Sequence, residues 1–208
     1  MTIVQWSGGQ EHWTHKGDIR LFLWHKAAST QVPHAGTILF VHGSSMASQP
    51  TFDLHVPGRP HSSVMDWFAE RGFDTWCMDN EGYGRSDKQR PINFDISNGA
   101  DDLAVGSQYI MDKTGAKSLL LYGISSGALK AALFTERHPE RVAKIALDAF
   151  VWTGEGSHTL AQRKKKLPEF LAQNRRPIDR DFVHSIFKRD HPDTADAATV
   201  NAFADAIL

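Results

Sequence analysis

The stretch Ser118-Leu-Leu-Leu-Tyr-Gly-Ile-Ser-Ser-Gly127 runs on into Ala128-Leu-Lys-Ala-Ala-Leu-Phe-Thr-Glu-Arg137, and its hydrophobic period changes midway. Residues 118–122 form a short, continuous apolar run, as expected of a strand covered on both faces of a parallel sheet. Residues 126–137 carry a helical pattern that stops at His138-Pro139, because proline disfavours helix through the residue before it. Between the two lies Gly123-Ile-Ser125-Ser-Gly127. A strand that turns straight into a helix crowds its backbone, so both glycine positions must be small, and the strained turn lifts the Ser125 hydroxyl clear of the sheet. Ser125 also stands at a helix N-terminus, where unpaired N–H groups and the macrodipole favour negative charge. The pentapeptide alone is a common glycine-rich turn. Its place between strand and helix makes Ser125 a candidate nucleophile.

Working outward, residues 11–26 alternate around Lys16-Gly17-Asp18 as an opening hairpin, and Thr37-Ile-Leu-Phe-Val41 reads as a buried strand ending at His42-Gly43-Ser44. Pro50, Pro57 and Pro60 predict an irregular stretch. After it come a short helix from Val64 to Arg71, a strand over 75–78, the loop Asp79-Asn-Glu-Gly-Tyr-Gly-Arg-Ser86, and a helix from about Ala100 to Lys113. Val142 to Leu147 is the next strand. Strands alternating with helices predict right-handed crossovers, hence an α/β domain whose mostly parallel sheet carries helices on both faces. The composition shifts after Phe150, and no strand-like run follows. The expected division is 1–151 for the sheet and 152–208 for a helical cap segment.

Two glycine-bearing strand ends, His42-Gly43-Ser44 and Gly123 to Gly127, thus meet at the carboxyl edge of the sheet, where open α/β folds place their sites. The backbone N–H groups of Ser44 and Ser126 are placed to hold an oxyanion. Losing one such donor typically costs about 3–4 kcal/mol of transition-state stabilisation.

Three segments in this order resemble the α/β-hydrolase superfamily: His42-Gly43, the Asp-x-x-Gly-x-Gly-x-Ser loop at Asp79 to Ser86, and the elbow at Gly123 to Gly127. The resemblance covers about residues 11–150 and implies that 152–208 begins a cap. It implies Ser125 as nucleophile and Ser44 and Ser126 as oxyanion-hole donors, and gives Asp79 to Ser86 a structural part. It also implies a chain order of serine, then acid, then histidine, with the last two beyond the cap. Some members take the acid from the end of the sixth strand, which is Asp148 here.

The 83 residues after Ser125 contain His138, His158, His184 and His191 but no later strand. None of these histidines sits at a strand end of the required kind. The expectation is therefore a fold lacking its C-terminal part, with strand 142–147 left as an open apolar edge. A complementary C-terminal fragment or chain of roughly 100 residues would supply the histidine and the acid.

Composition narrows the alternatives. With 23 Lys+Arg against 24 Asp+Glu, the net charge of -1 offers no global attraction to nucleic acid or anionic membrane. The longest apolar runs fall far short of the roughly 20 residues of a spanning helix. The first residues show neither a basic nor an apolar leader pattern, so the expected location is cytoplasmic. Cys77, alone, has no internal partner for a disulfide. His12-x-x-His15 puts its imidazoles on opposite faces of a strand, and no metal or cofactor is expected. Trp67, Phe68 and Trp76 fit a core; Phe52, Phe150 and Trp152 are expected at a pocket edge.

The function expected is a serine hydrolase that cleaves a small-molecule ester, or an amide or lactone, through an acyl-enzyme on Ser125. The alternatives are a ligand-binding, non-catalytic receptor on the same fold, a C–C bond hydrolase and an acyltransferase. Partners expected are a small-molecule substrate and the complementary fragment, with no nucleic acid and no membrane; a homo-oligomer is compatible with all of this.

Overall fold

Strands β1 (Gln10–Lys16) and β2 (Ile19–Lys26) pair antiparallel with Lys16 opposite Ile19, and Gly17, at φ 59°, supplies the left-handed residue their two-residue turn needs. This hairpin opens the chain in the computed structural model, which describes residues 8–188 and 193–208. Strands β3 (Gly36–Val41), β4 (Phe73–Met78), β5 (Leu119–Ile124) and β6 (Val142–Asp148) complete a six-stranded sheet in the order β1-β2-β4-β3-β5-β6. β2 runs antiparallel to β4, and the β3/β4, β3/β5 and β5/β6 pairs are parallel.

The period-2 alternation of the central strands separates two cores. Leu21, Leu23, Leu39, Val41, Trp76 and Leu121 pack against α3 (Ile96–Thr114) and α4 (Ser126–Arg137), which contribute Leu103, Ile110, Ala131 and Phe134. Phe22, Trp24, Ile38, Phe40 and Cys77 face the other way, towards α1 (Ser48–Phe52) and α2 (Val64–Ala69) through Phe52 and Met65. Helices on both faces of an α/β sheet are therefore present, as expected.

Several local expectations change. The stretch expected to be irregular contains α1: Pro50 falls in its first turn, where no intrahelical N–H bond is needed. Helix α3 starts four residues before Ala100, because Asp95 and Asn98 form a reciprocal capping box. Trp76 is in the core, but Trp67 is exposed with the Arg71 guanidinium 3.7 Å over its ring. Phe52 is a core residue rather than a pocket edge, and Trp152 is exposed.

Strand β6 is the outer strand of the sheet, and Ala143, Lys144, Ala146, Leu147 and Asp148 on it are exposed. Beyond it lie α5 (His158–Lys165), α6 (Leu167–Ala172), α7 (Arg180–Lys188) and α8 (Ala197–Ile207), with no strand among the described residues. Helices α7 and α8 close on each other through Val183, Phe203 and Ala204, and rest on Met46 and Leu54 of the β3-to-α2 connection. Helix α6 buries no residue. His191 lies outside the described residues.

Candidate active site

Ser125 caps α4 with φ 57° and ψ -123°, a backbone conformation that side-chain-bearing residues rarely adopt, and its side chain is exposed. The crowding that forces this turn is measurable. A Cβ at Gly123 would lie 2.6 Å from Gly127 O, and one at Gly127 would lie 2.2 Å from Val41 O. Both elbow glycines are therefore sites of close backbone approach. The Ser125 N–H donates to Asp148 O at 2.9 Å, which ties the elbow to the end of β6.

The loop after β3 sits against this serine. A Cβ at Gly43 would be 3.2 Å from both Ile124 O and Ser125 Cβ, and 3.7 Å from Ser125 Oγ. The Ser44 and Ser126 hydroxyls hydrogen-bond each other at 2.8 Å, so the two residues expected to donate to an oxyanion are neighbours. Neither of their N–H groups donates to a backbone carbonyl among the described residues.

His42, fully buried, orients this loop. Its Nδ1 faces Gly43 O at 2.7 Å and must carry the proton, while its Nε2 accepts from Asn80 N at 3.1 Å and must not. Burial, then the Lys130 charge, push its pKa down to about 3 against the opposing Gly43 bond, so the ring stays neutral. The planar trans peptide turns the Ser44 N–H away from the carbonyl that His42 holds. Below it, Lys130 of α4 donates to Asn80 Oδ1 at 2.7 Å and to His42 O at 3.3 Å, and its Nζ lies 5.3 Å from the centre of the Tyr83 ring. Burial brings its pKa down to about 8 despite the nearby Asp102. Neither role was anticipated. The available signal was that Gly127, Lys130, Ala131 and Phe134 share one helical face, which places a lysine on the inward stripe.

The Asp79 loop is structural, as expected. Asp79 is buried and accepts from Ser48 N and Ser48 Oγ at 2.7 Å and from Arg85 N at 2.8 Å; Ser86 Oγ donates back to Asp79 O. A Cβ at Gly84 would strike the Asp79 carboxylate at 2.1 Å. Burial raises the Asp79 pKa even against these donors. The helical segment reaches the loop after β3 where Arg176 donates to Ser45 Oγ at 2.5 Å beside Ser44.

The carboxylate of Asp148 accepts from the Tyr122 hydroxyl; burial, then this partner, raise the tyrosine pKa to about 12. No histidine among the described residues hydrogen-bonds Ser125. His138 stacks on Phe134 at the far end of α4, and His158 contacts Gln162. The site thus holds a strained, exposed hydroxyl beside Gly43, and among the described residues no imidazole hydrogen-bonds it.

Residues 36–189 match a family model described as alpha/beta hydrolase fold. The chain belongs to the alpha/beta hydrolase fold family. Solved structures of similar shape include E-2-(acetamidomethylene)succinate hydrolase (19% identity, TM-score 0.63, 94% of this chain and 64% of that one). A membrane phospholipase A described as a bacterial virulence factor is similar too (19%, 0.62, 96% and 58%). So is a predicted CIB-like hydrolase from Thermoplasma acidophilum (18%, 0.51, 66% and 61%). At these identities the likeness is one of fold. The alpha/beta hydrolase chain spans less than two thirds of the length of each. No curated protein sequence matches it. No helix among the described residues is long and apolar enough to cross a membrane.

Proposed function

We propose that this alpha/beta hydrolase is a serine hydrolase of small-molecule esters, with Ser125 as nucleophile and the N–H groups of Ser44 and Ser126 as oxyanion donors. The observation that carries the reading is the exposed Ser125 hydroxyl on a backbone with φ 57°, with Gly43 seated against its Cβ. Attack on the ester carbonyl forms the acyl-enzyme and expels the alcohol, which takes up the serine proton through a base; water then releases the acid. Amides and lactones fall to the same machinery.

In this reading the base is a histidine from a complementary C-terminal fragment or chain seated beside the open β6 edge. Three observations support it: no described histidine bonds Ser125, β6 exposes most of its residues, and the related structures are longer. Asp148 is the candidate acid on this chain, and an incoming imidazole would take the place of the Tyr122 hydroxyl on its carboxylate.

A fluorophosphonate probe with intact mass spectrometry, alongside p-nitrophenyl ester hydrolysis, tests the proposal. Labelling of wild type but not of Ser125→Ala is expected, with turnover appearing only when the histidine-bearing partner is present. A folded complex that refuses the probe would support the alternative, a non-catalytic ligand-binding protein on the same fold.

A further inference from the structure

Lys130 is only 2% exposed, yet among the described residues it forms no ion pair; its hydrogen-bond acceptors are an amide and a main-chain carbonyl, and Asp102 acts on it from further away. Lysine is rarely buried so completely without an ionic partner, because the ammonium gives up its hydration for hydrogen bonds alone. An apolar side chain would fill the same space without that cost. The lowering of its pKa by burial, to about 8, reflects the same penalty. A charge kept inside at such expense calls for a purpose.

The three donors of the ammonium have distinct targets. One reaches Asn80 Oδ1 at 2.7 Å, just beyond β4, and one reaches His42 O at 3.3 Å, just beyond β3. The ring centres of Tyr83 and Phe94 lie 5.3 and 5.5 Å from Nζ, and the two rings meet edge to face at 5.7 Å, so the remaining side of the charge meets aromatic surface. The stem is seated as closely as the head. A Cβ at Gly99 of α3 would lie 2.5 Å from Lys130 Cδ and 2.7 Å from its Cγ. Gly99 stands within a helix, where glycine is the costly choice, and the lysine stem occupies the space that a side chain there would need.

Both hydrogen bonds lead to the Ser44 amide. His42 O belongs to the peptide before Gly43, and Gly43 O, held by His42 Nδ1 at 2.7 Å, belongs to the peptide that carries the Ser44 N–H. The His42 ring is fixed in turn by Asn80 N at 3.1 Å from its Nε2, and the Asn80 side chain is fixed by Lys130. One ammonium therefore braces two successive peptides, the first directly and the second through Asn80 and His42. It does so from α4, the helix that Ser125 caps, so hydroxyl and amide share one rigid mount. We propose that Lys130 is a positioning residue for the oxyanion donor: its clamp on His42 and Asn80 keeps the Ser44 N–H in register with the Ser125 hydroxyl. This role presupposes the serine hydrolase reading, in which the Ser44 N–H receives the oxyanion. Misplacement of such a group by about 1 Å is enough to slow a reaction about a hundredfold.

Lys130→Met retains most of the stem and removes the ammonium. In the folded variant, fluorophosphonate labelling of Ser125 should slow by about tenfold to a hundredfold in its limiting rate at saturating probe, with the half-saturating probe concentration unchanged. A lysine that only filled space would leave that limiting rate as it is. Gly99→Ala keeps the charge but displaces the stem; it should slow labelling by about threefold or more in the wild-type chain and have no effect in a Lys130→Ala background, which keeps the test open if Lys130→Met folds poorly. Amide NMR reads the same hold without any reaction at Ser125: Lys130→Met should move the Gly43 and Ser44 cross-peaks and leave those of the β1–β2 hairpin in place. A wild-type chain that refuses the probe would defeat the hydrolase reading, and the NMR comparison alone then decides whether Lys130 holds the Ser44 peptide. An unchanged limiting rate in the folded variant, or Gly43 and Ser44 amides that stay in place, would overturn the proposal.

Discussion

Replacing Gly127 by alanine sets two effects of opposite sign against each other. Gly127 is the second residue of α4, and alanine there gains about 1 kcal/mol of helix propensity. The new methyl, however, would lie 2.2 Å from Val41 O and 2.6 Å from His42 O, about 1 Å inside ordinary contact. Both obstacles are main-chain carbonyls at the end of β3, where Val41 is paired with Gly123, so no flexible side chain can yield. Overpacking of this kind costs about 1–3 kcal/mol and occasionally more. With the contacts this short, the upper end applies, and the net loss expected is about 2 kcal/mol or more. With a urea slope of about 2 kcal/mol per molar, the midpoint should fall by about 1 M at unchanged slope. Urea unfolding followed by tryptophan fluorescence reads this directly. A midpoint unchanged or raised would show that the elbow is not crowded as described, and the account of why Ser125 is strained would fall with it.

Ser125→Gly should abolish probe labelling while stabilising the fold by about 1 kcal/mol or more, since glycine adopts the elbow backbone without the penalty serine bears; the same urea titration reads it, and a destabilised variant would contradict the strain. Lys130 releases its proton near pH 8 when folded, against 10.5 in its ordinary state. Between those values the unfolded chain binds more protons, so stability rises with pH, by up to about 3 kcal/mol, and Lys130→Met should lack that rise; parallel slopes for both proteins would refute it. His42, with a pKa of about 3 against 6.5, leaves the unfolded chain the better proton binder across that window, so stability should fall as pH drops from 6.5. Imidazole nitrogen NMR at pH 5 should show its ring neutral with the proton on Nδ1, and a charged ring there would refute the assignment.

The central architecture was legible because it rests on local patterns: the apolar runs at β3 and β5, the glycines of the elbow, and the Pro139 that stops α4. The Asp79 loop was legible as structural, although the clash that demands Gly84 needs the folded carboxylate. Other features escaped for physical reasons. The capping box of α3 uses Asn98 where glutamate or glutamine is usual, which hid the start of the helix. Helix α1 was obscured by Pro50, which is harmless in a first turn. Lys130 and His42 depend on tertiary placement, which spacing along the chain does not reveal.

Arg176 grips the hydroxyl of Ser45, itself at φ 61°, one residue from an amide proposed to receive the developing oxyanion. The helices that follow the sheet are therefore joined to the loop after β3 by this guanidinium, besides resting on Met46 and Leu54. A bulky acyl group that pries those helices outward would tug directly on the Ser44 peptide, so substrate size would be sensed at the step where charge builds on oxygen as well as at entry.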